Sequence, residues 1–353
     1  MSKKNKVTLI SRESDNITLD FQLLKDELES RGIQVEVLTK LLRKKLSLST
    51  LSYIGELSKQ VRAMNNSDVI LVDTYCVPVS MLSHSKNLTV IQMWHALSAI
   101  KKFGWQTVGM EDGASEKVAH LMKMHRGYDR VLCPSDVTAN YFCEGFNVSR
   151  DKIIKLGLPR IDYILRDNPT MVTAIHKRYP ELDEEKKTIL YTPTFHKGAA
   201  VDVKGLVDAI DLNKYNIIVK LHPIDTASNE KVIKRGVIYD DVFDTYDLLR
   251  VADIVISDYS SLAVEASLTL KPLYLYVYDK DSYVNITGLN MNFDEEAIGK
   301  YAFTDARQLA VAMNEEYDKA AIQAFRDKYI DIDTKDVTAK LADYVVSLMN
   351  KNE

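Results

Sequence analysis

The feature that most constrains the fold of this chain is a series of short apolar runs, many of them β-branched, with helical patterns between them. In the first half the runs are KVTLI (6–10), IQVEVL (33–38), VILVD (69–73), LTVIQMW (88–94), RVLC (130–133) and KIIKLG (152–157). In the second half they are TILY (188–191), NIIVKL (216–221), VIY (237–239), IVIS (254–257) and LYLYVY (273–278). Such runs in alternation with helices are typical of parallel α/β sheets.

The length of the chain and a break in this pattern predict two α/β domains. A chain of 353 residues exceeds the usual size of one domain. Gly157 and Pro159 interrupt the series, so we expect Rossmann-like domains over residues 1–158 and 159–353. Two amphipathic helices, DARQLAVAMNEEY and DVTAKLADYVVSLMN, follow the last strand, and the second can pack back on the first domain. Two such domains facing each other across a cleft form the glycosyltransferase-B architecture.

Composition and charge exclude several classes of protein. The net charge of −4 gives no overall attraction to nucleic acid, and no nucleic-acid-binding motif is present. Cys76, Cys133 and Cys143 lack the spacing of a zinc site or a disulfide framework and suit a reducing compartment. No apolar run approaches the ~20 residues that span a bilayer. We expect a cytoplasmic protein, with attachment to a membrane surface still possible.

Residues 40–63, KLLRKKLSLSTLSYIGELSKQVRA, form a basic segment in which leucines alternate with cations. A basic amphipathic surface of this kind can lie on an anionic membrane. A solvated helix pair on the first domain explains the same pattern. The cations predicted to face the membrane are Lys40, Arg43, Lys44 and Lys45.

Polar and cationic side chains follow several of the predicted strands, which is where open α/β sheets bind ligands. One histidine at the end of a strand is more often structural than catalytic, but a set of such strand ends across two domains predicts a functional site. The stretches are VIQMWHALSAIKKFG (90–104), ILYTPTFHKG (189–198) and IIVKLHP (217–223). Their candidate residues are His95, Lys101, Lys102, Thr194, His196 and His222.

A further strand end, in IVISDYSSLAVEASLTLKPLYLY (254–276), predicts a phosphate site. The strand ends at Asp258, and Ser260 and Ser261 stand where a helix N-cap belongs. Free backbone N–H groups and the positive end of the helix dipole would then point at one place. An ordinary helix cap is the alternative, although Ser261 and Glu265 are one residue too far apart for a capping box.

Five motifs carry a resemblance to a known family. WHALSAIKKFG, GLPRIDYIL, YTPTFHKG, IIVKLHP and SDYSSLAVEASLTLKPLYLYVYDKDSY occur in the order and spacing of the CDP-glycerol glycerophosphotransferases, the teichoic acid primases and polymerases. The chain resembles this family over roughly residues 65–285. The resemblance implies a glycosyltransferase-B fold and transfer of glycerol phosphate, or next ribitol phosphate, from a CDP-polyol. It also implies release of CMP and an undecaprenyl-diphosphate-linked acceptor at the cytoplasmic face of the membrane.

The resemblance also implies roles for individual residues. The tryptophan-histidine motif implies that His95 is catalytic, and the lysine-leucine-histidine-proline motif implies the same for His222. The turn from Asp258 to Ser261 is implied to hold the donor phosphates. The other predicted donor-binding residues are Arg160, Thr194, His196 and Glu265, and Lys101 and Lys102 are predicted to meet an anionic acceptor.

Two departures from the family leave the polyol open. The family often has His-Gly-Thr-Pro where this chain has His95-Ala96-Leu97-Ser98, and it often has arginine in place of His196. A titratable histidine is a weaker anion ligand than a fixed guanidinium fork. A nucleotide-sugar glycosyltransferase of the same fold and a binding protein without turnover are the alternatives.

No metal or other cofactor is indicated by the sequence. The Asp-x-Asp pair, Asp331 and Asp333, precedes the last predicted helix, and helix capping by Thr334 and its neighbours explains these residues. Histidine, arginine and a helix terminus can stabilise phosphoryl charge without a metal.

Overall fold

The computed structural model describes residues 5–41, 48–111, 113–194, 201–221 and 232–351. The chain divides into unit 1, residues Met1–Asp162 with Tyr329–Glu353, and unit 2, residues Tyr163–Lys328. The sequence-based division after residue 158 placed Arg160 and the C-terminal segment in the second domain. The structure groups both with unit 1, because Arg160 bonds to a buried aspartate there and the last helix packs on the first one.

Unit 1 is built on a parallel sheet whose strands match the predicted runs of the first half. The strands are β1 (Lys6–Ser11), β2 (Gln34–Thr39), β3 (Val69–Val72), β4 (Thr89–Gln92), β5 (Arg130–Cys133) and β6 (Ile153–Lys155). Their order is β2-β1-β3-β4-β5-β6, and all pairs are parallel. Every residue of β3 is buried, which explains its uninterrupted apolar sequence.

Unit 2 contains a second six-stranded parallel sheet. Its strands are β7 (Lys187–Tyr191), β8 (Tyr215–Val219), β9 (Val237–Tyr239), β10 (Ile254–Ser257), β11 (Leu273–Tyr276) and β12 (Ala302–Phe303). Their order is β12-β11-β10-β7-β8-β9. The strand β12 was not predicted, because its two residues give no periodic signal.

Helices connect the strands of both sheets. The α-helices are α1 (Leu19–Ser30), α2 (Leu48–Asn66), α3 (Val77–Met81), α4 (Glu116–Leu121), α5 (Asp136–Phe146), α6 (Arg160–Leu165), α7 (Pro169–Arg178), α8 (Val203–Ala209), α9 (Thr245–Val251), α10 (Leu262–Ala266), α11 (Lys280–Thr287), α12 (Ala306–Ala312), α13 (Lys319–Tyr329) and α14 (Val337–Lys351). Short 3-10 helices cover Gly104–Thr107, Arg150–Lys152, Ser267–Thr269, Phe293–Glu295 and Gly299–Tyr301. The two predicted C-terminal helices are α12 and α14. Among the described residues, no helix combines the length and the apolar character needed to cross a bilayer.

The packing of α14 on α1 explains why the end of the chain belongs to unit 1. Phe21, Leu24 and Leu28 are fully buried on α1, and Leu341 and Val345 are fully buried on α14. Spacings of three and four residues place these side chains on one face of each helix. The two helices contact each other within unit 1.

In each sheet the chain adds strands first on one side of the starting strand and then on the other side. In unit 1 the chain passes from β1 to β2 and then returns to the other side of β1 with β3. In unit 2 the same reversal separates β7 from β10. Reversals of this kind leave a crevice at the carboxyl ends of the strands, where open α/β sheets bind ligands.

Candidate functional site

His95 lies just beyond the carboxyl end of β4, and a hydrogen bond fixes its tautomer. Its Nδ1 is 3.2 Å from the backbone oxygen of Asp73, which follows β3. Because a carbonyl oxygen only accepts, Nδ1 carries the proton, and Nε2 of the neutral ring keeps its lone pair. The side chain of His95 is exposed to solvent. This geometry is that of a base with its basic nitrogen available to a ligand.

Several groups set the pKa of His95 below its usual value. Desolvation by the surrounding protein is the largest cause, and the guanidiniums of Arg160 and Arg12 act in the same direction. Glu13 and the Asp73 carbonyl oppose them. Because His95 is also exposed, its desolvation is partial, and the two nearby cations support the same direction. The ring is therefore neutral at neutral pH.

Asp73 is a buried acid that sequence analysis did not single out, although it ends the run VILVD. The residue is 3% exposed, and within the described part of the chain its Oδ1 has no hydrogen-bond partner. Burial raises the pKa of Asp73 to about 7, against the lowering effect of a hydrogen bond with Ser11. Arg12 and Glu13 were also missed. They directly follow β1, so the search for polar residues after strands would have found them if it had included this strand.

Arg160, predicted to bind the donor, is held by a carboxylate in unit 1. Its backbone N–H and its Nε each donate to Asp20 at 2.8 Å, and its Nη2 donates to the same carboxylate. Asp20 is 3% and Arg160 is 9% exposed. These donor groups are directed to Asp20, so the geometry favours a structural role for this pair.

In unit 2, Asp258 joins two strand ends at the reversal of the sheet. Its Oδ2 accepts the backbone N–H of Thr194, beyond β7, at 2.7 Å. Its Oδ1 accepts the backbone N–H of Ser260, beyond β10, at 3.1 Å. Asp258 is 1% exposed. The carboxylate thus shapes the crevice where the sequence predicted donor binding.

The helix after this turn is shorter than the sequence suggested. It comprises only the five residues of α10 and continues as a 3-10 helix. The Oγ of Ser260 accepts the backbone N–H of Leu262 at 3.3 Å, whereas the side chain of Ser261 makes no capping hydrogen bond. Ser261 stands at the N-cap position, as the sequence predicted, although Ser260 supplies the hydroxyl that accepts a backbone N–H of the helix. Glu265 is buried, and its Oε2 accepts the hydroxyl of Tyr246 at 3.0 Å.

The remaining cations of the predicted site are only partly described. Lys102 is exposed and Lys101 is half-buried. Lys40 forms an ion pair with Asp15, with 3.0 Å between Nζ and Oδ1. Arg43, Lys44, Lys45, His196 and His222 lie outside the described residues.

The second half of the basic segment is a helix packed on unit 1. In α2, Gln60, Ala63 and Met64 are buried, and the last two belong to the core of the unit. For this half of the segment, packing of a helix on the first domain, the alternative to membrane binding, explains the pattern of leucines and cations. The membrane prediction now depends on the cations at residues 40–45.

Within the described ranges, no group of three or more His, Cys, Asp or Glu side chains is placed to hold a metal ion. Asp331 pairs with Lys155 and Asp333 pairs with Lys340, each at 2.6 Å. The helix that follows begins at Val337 rather than beside Thr334. Its first backbone N–H groups donate to Asp162, so the expected cap by Thr334 is wrong.

Comparison with known proteins finds relatives along nearly the whole chain. A family model described as CDP-Glycerol:Poly(glycerophosphate) glycerophosphotransferase matches residues 1–347. A teichoic acid ribitol-phosphate primase of Bacillus spizizenii is 27% identical over 363 residues, covering 98% of this chain and 92% of the primase. A teichoic acid glycerol-phosphate primase of the same organism is 32% identical over 278 residues, covering 72% of this chain and 69% of that protein.

A solved structure shows the fold. A histidine variant of the wall teichoic acid polymerase TagF, soaked with CDPG, matches with a TM-score of 0.76 at 19% identity. The match covers 99% of this chain and 89% of the polymerase chain. With two parallel α/β sheets in the chain, the predicted glycosyltransferase-B fold is confirmed.

Proposed function

The chain belongs to the CDP-glycerol:poly(glycerophosphate) glycerophosphotransferase family, and from that premise we propose which groups carry its reaction. The enzyme is a polyolphosphotransferase of teichoic acid synthesis. We propose that it moves glycerol phosphate, or ribitol phosphate as the second candidate, from a CDP-polyol to an acceptor hydroxyl. The observation that carries the proposal is His95, exposed at a strand end with Nδ1–H on a carbonyl oxygen.

In this proposal His95 is the general base. The acceptor hydroxyl gives its proton to Nε2 while its oxygen attacks the distal phosphorus of the donor. The bond from that phosphorus to the bridging oxygen breaks, and CMP leaves with the electron pair. The lowered pKa of His95 supports this role, since the neutral ring is the form that accepts the proton.

Unit 2 is proposed to bind the donor at the strand ends joined by Asp258. Asp258 and Glu265 are buried carboxylates, and a carboxylate repels a phosphate. We therefore assign them to shaping the site, with contact to phosphate left to Ser260 and to the backbone near Thr194. His196 and His222 remain proposed phosphate ligands on the strength of the sequence alone.

Unit 1 is proposed to meet the acceptor and the membrane. Lys101 and Lys102 follow the strand that delivers His95 and supply positive charge for an anionic acceptor. An undecaprenyl-diphosphate-linked acceptor would place the enzyme on the cytoplasmic face of the membrane. Lys40, Arg43, Lys44 and Lys45 are the proposed contacts with anionic lipid.

Product analysis with a panel of donors tests the proposed reaction. The chain is incubated with CDP-glycerol, CDP-ribitol or UDP-sugars and a lipid-linked disaccharide, and the products are weighed by mass spectrometry. We expect a polyol phosphate to be added and CMP to be released. Transfer of a sugar from a UDP-sugar, with none from a CDP-polyol, would contradict the proposal.

Two histidine variants test the roles within this reaction. His95→Ala should lower turnover by roughly 10²–10⁴-fold and leave donor affinity unchanged, because the base acts on the acceptor. His222→Ala should weaken turnover and donor affinity together, as expected of a phosphate ligand. His120→Ala is the control, since His120 lies exposed on α4. Donor affinity is measured by calorimetry. Full turnover in His95→Ala would exclude this residue as the base.

A further inference from the structure

The turn that delivers His95 contains a large residue in a backbone conformation that large residues rarely adopt. Trp94 has a φ of 61°, in the left-handed region that favours glycine. A bulky residue stays in this region only where its surroundings hold it, and such residues cluster at functional sites. The contacts that hold Trp94 therefore also place the next residue, His95.

Gln92, the last residue of β4, holds the turn from inside unit 1. Its side chain is fully buried. Its Oε1 accepts the backbone N–H of Trp94 at 2.9 Å, and its Nε2 donates to the carbonyl oxygen of Thr74 at 3.2 Å. Thr74 follows Asp73, whose carbonyl oxygen accepts the Nδ1–H of His95. One buried amide thus joins the two chain segments that supply His95 and its hydrogen-bond acceptor.

The indole of Trp94 supports the imidazole from the side. The ring centroids of Trp94 and His95 are 4.0 Å apart, with planes inclined at 39°. On the indole, Phe103 packs at 4.6 Å and Phe146 at 5.1 Å between centroids. Phe146 is fully buried in the core of unit 1. An indole anchored in this way restricts the rotation of the imidazole.

We propose that Gln92 and Trp94 are positioning residues that hold His95 with Nδ1–H on the Asp73 carbonyl oxygen and with Nε2 free for the acceptor hydroxyl. The catalytic consequence rests on the proposed role of His95 as the base, whereas the placement of the ring does not. Both residues act through His95. Without them the imidazole leaves the carbonyl oxygen, and the tautomer with a protonated Nε2 becomes accessible.

Three variants separate the contributions of the two residues. Gln92→Met removes the side-chain hydrogen bonds to Trp94 and Thr74 and keeps the side-chain length. Trp94→Gly removes the ring and introduces glycine, which adopts positive φ without steric cost. Trp94→Phe retains an aromatic ring. Gln106→Met is the matched control, because the Oε1 of Gln106 also accepts a backbone N–H beyond β4, that of Phe103 at 3.3 Å.

Two measurements on the full chain are combined. Long-range proton–nitrogen NMR of the histidine-labelled protein reports the tautomer of each ring, and the signal of His95 is the one missing from His95→Ala. Turnover is measured with CDP-glycerol and CDP-ribitol. We expect Gln92→Met and Trp94→Gly to lose the Nδ1–H tautomer and to lower kcat about 10²-fold, with the donor KM within about twofold. Trp94→Phe should recover most of the turnover, and Gln106→Met should match the parent.

The combination of readouts distinguishes failure of this inference from failure of the proposed function. If His95 keeps the Nδ1–H tautomer in folded Gln92→Met and Trp94→Gly, the positioning role is overturned, whatever happens to turnover. If the tautomer is lost while kcat is unchanged, the positioning role stands and His95 is not the base. Thermal melts establish folding, and the Trp94 variants carry the test if Gln92→Met does not fold.

Discussion

At the scale of single residues, two oppositely charged neighbours shift the pKa of His95 in opposite directions. Arg12 lowers it and Glu13 raises it. A base works only when unprotonated, so the acid limb of kcat/KM for the donor–acceptor reaction follows this pKa and should lie at lower pH than for an ordinary histidine. Arg12→Gln should move the limb to higher pH, and Glu13→Gln should move it to lower pH. A pH–rate profile that shifts the same way in both variants would show that the limb does not report His95.

Asp73 makes a second prediction at this scale, for stability against pH. Its pKa is about 7 in the folded protein, against the ordinary aspartate value of 3.8, so the native state binds the proton more tightly than the unfolded chain. The unfolding free energy should therefore fall as pH rises from about 4 to 7, by up to about 4 kcal/mol from this group. Asp73→Asn should remove this fall in unfolding free energy with pH.

The measurement is urea unfolding of Asp73→Asn and the parent across this pH range. The difference in unfolding free energy, variant minus parent, should rise with pH. Asp208→Asn is the control, because Lys204 and Lys234 lower the pKa of Asp208 to about 2 and leave it ionised throughout. A constant difference for Asp73→Asn would mean that the buried carboxyl is charged at every pH tested.

At the scale of elements, the start of α14 depends on a residue far away in the chain. The Oδ1 of Asp162 accepts the backbone N–H of Val337 at 2.9 Å, and its Oδ2 accepts that of Thr338 at 2.7 Å. These are N–H groups that a helix cannot satisfy by itself. Asp162 thus caps a helix that belongs to another part of the sequence.

Asp162→Ala should lower the unfolding free energy of the protein by about 1–2 kcal/mol through loss of this cap. Hydrogen exchange should show the first turn of α14 exchanging faster. Asp343→Ala is the control within α14, because the pair of Asp343 with Arg31 is exposed and is expected to contribute under about 1 kcal/mol. Equal effects in urea unfolding would argue against a capping role for Asp162.

At the scale of the whole molecule, the proposed lipid-linked acceptor would require the enzyme to bind a membrane surface. Changing Lys40, Arg43, Lys44 and Lys45 to glutamine should release the protein from anionic vesicles, at about 1 kcal/mol for each cation near the surface. Turnover on a soluble acceptor analogue should be retained. Lys40 pairs with Asp15, so its share should be the smallest. Vesicle flotation that is unchanged in the fourfold variant would exclude this segment as the membrane contact.

The sequence by itself determined eleven of the twelve described strands, the two sheets and several of the residues at strand ends. Strands buried on both faces are nearly continuous apolar runs, so they are visible as stretches such as VILV and IVIS. His95 was found because it ends such a run. The series of motifs identified the family for a similar reason. Each motif is a continuous stretch of sequence that contains the end of a strand and the polar residues after it.

Only the tertiary structure decided which groups these residues meet. Asp20 and Arg160, and Asp162 and Thr338, are partners separated by 140 and 176 residues, respectively. No local pattern encodes such a pair, because the contact exists only once the helices have packed. The same holds for the tautomer of His95, which depends on the carbonyl oxygen of Asp73 on a neighbouring strand end. Spacing along the chain gives the residue types of a site, whereas packing gives their partners, their protonation and their orientation.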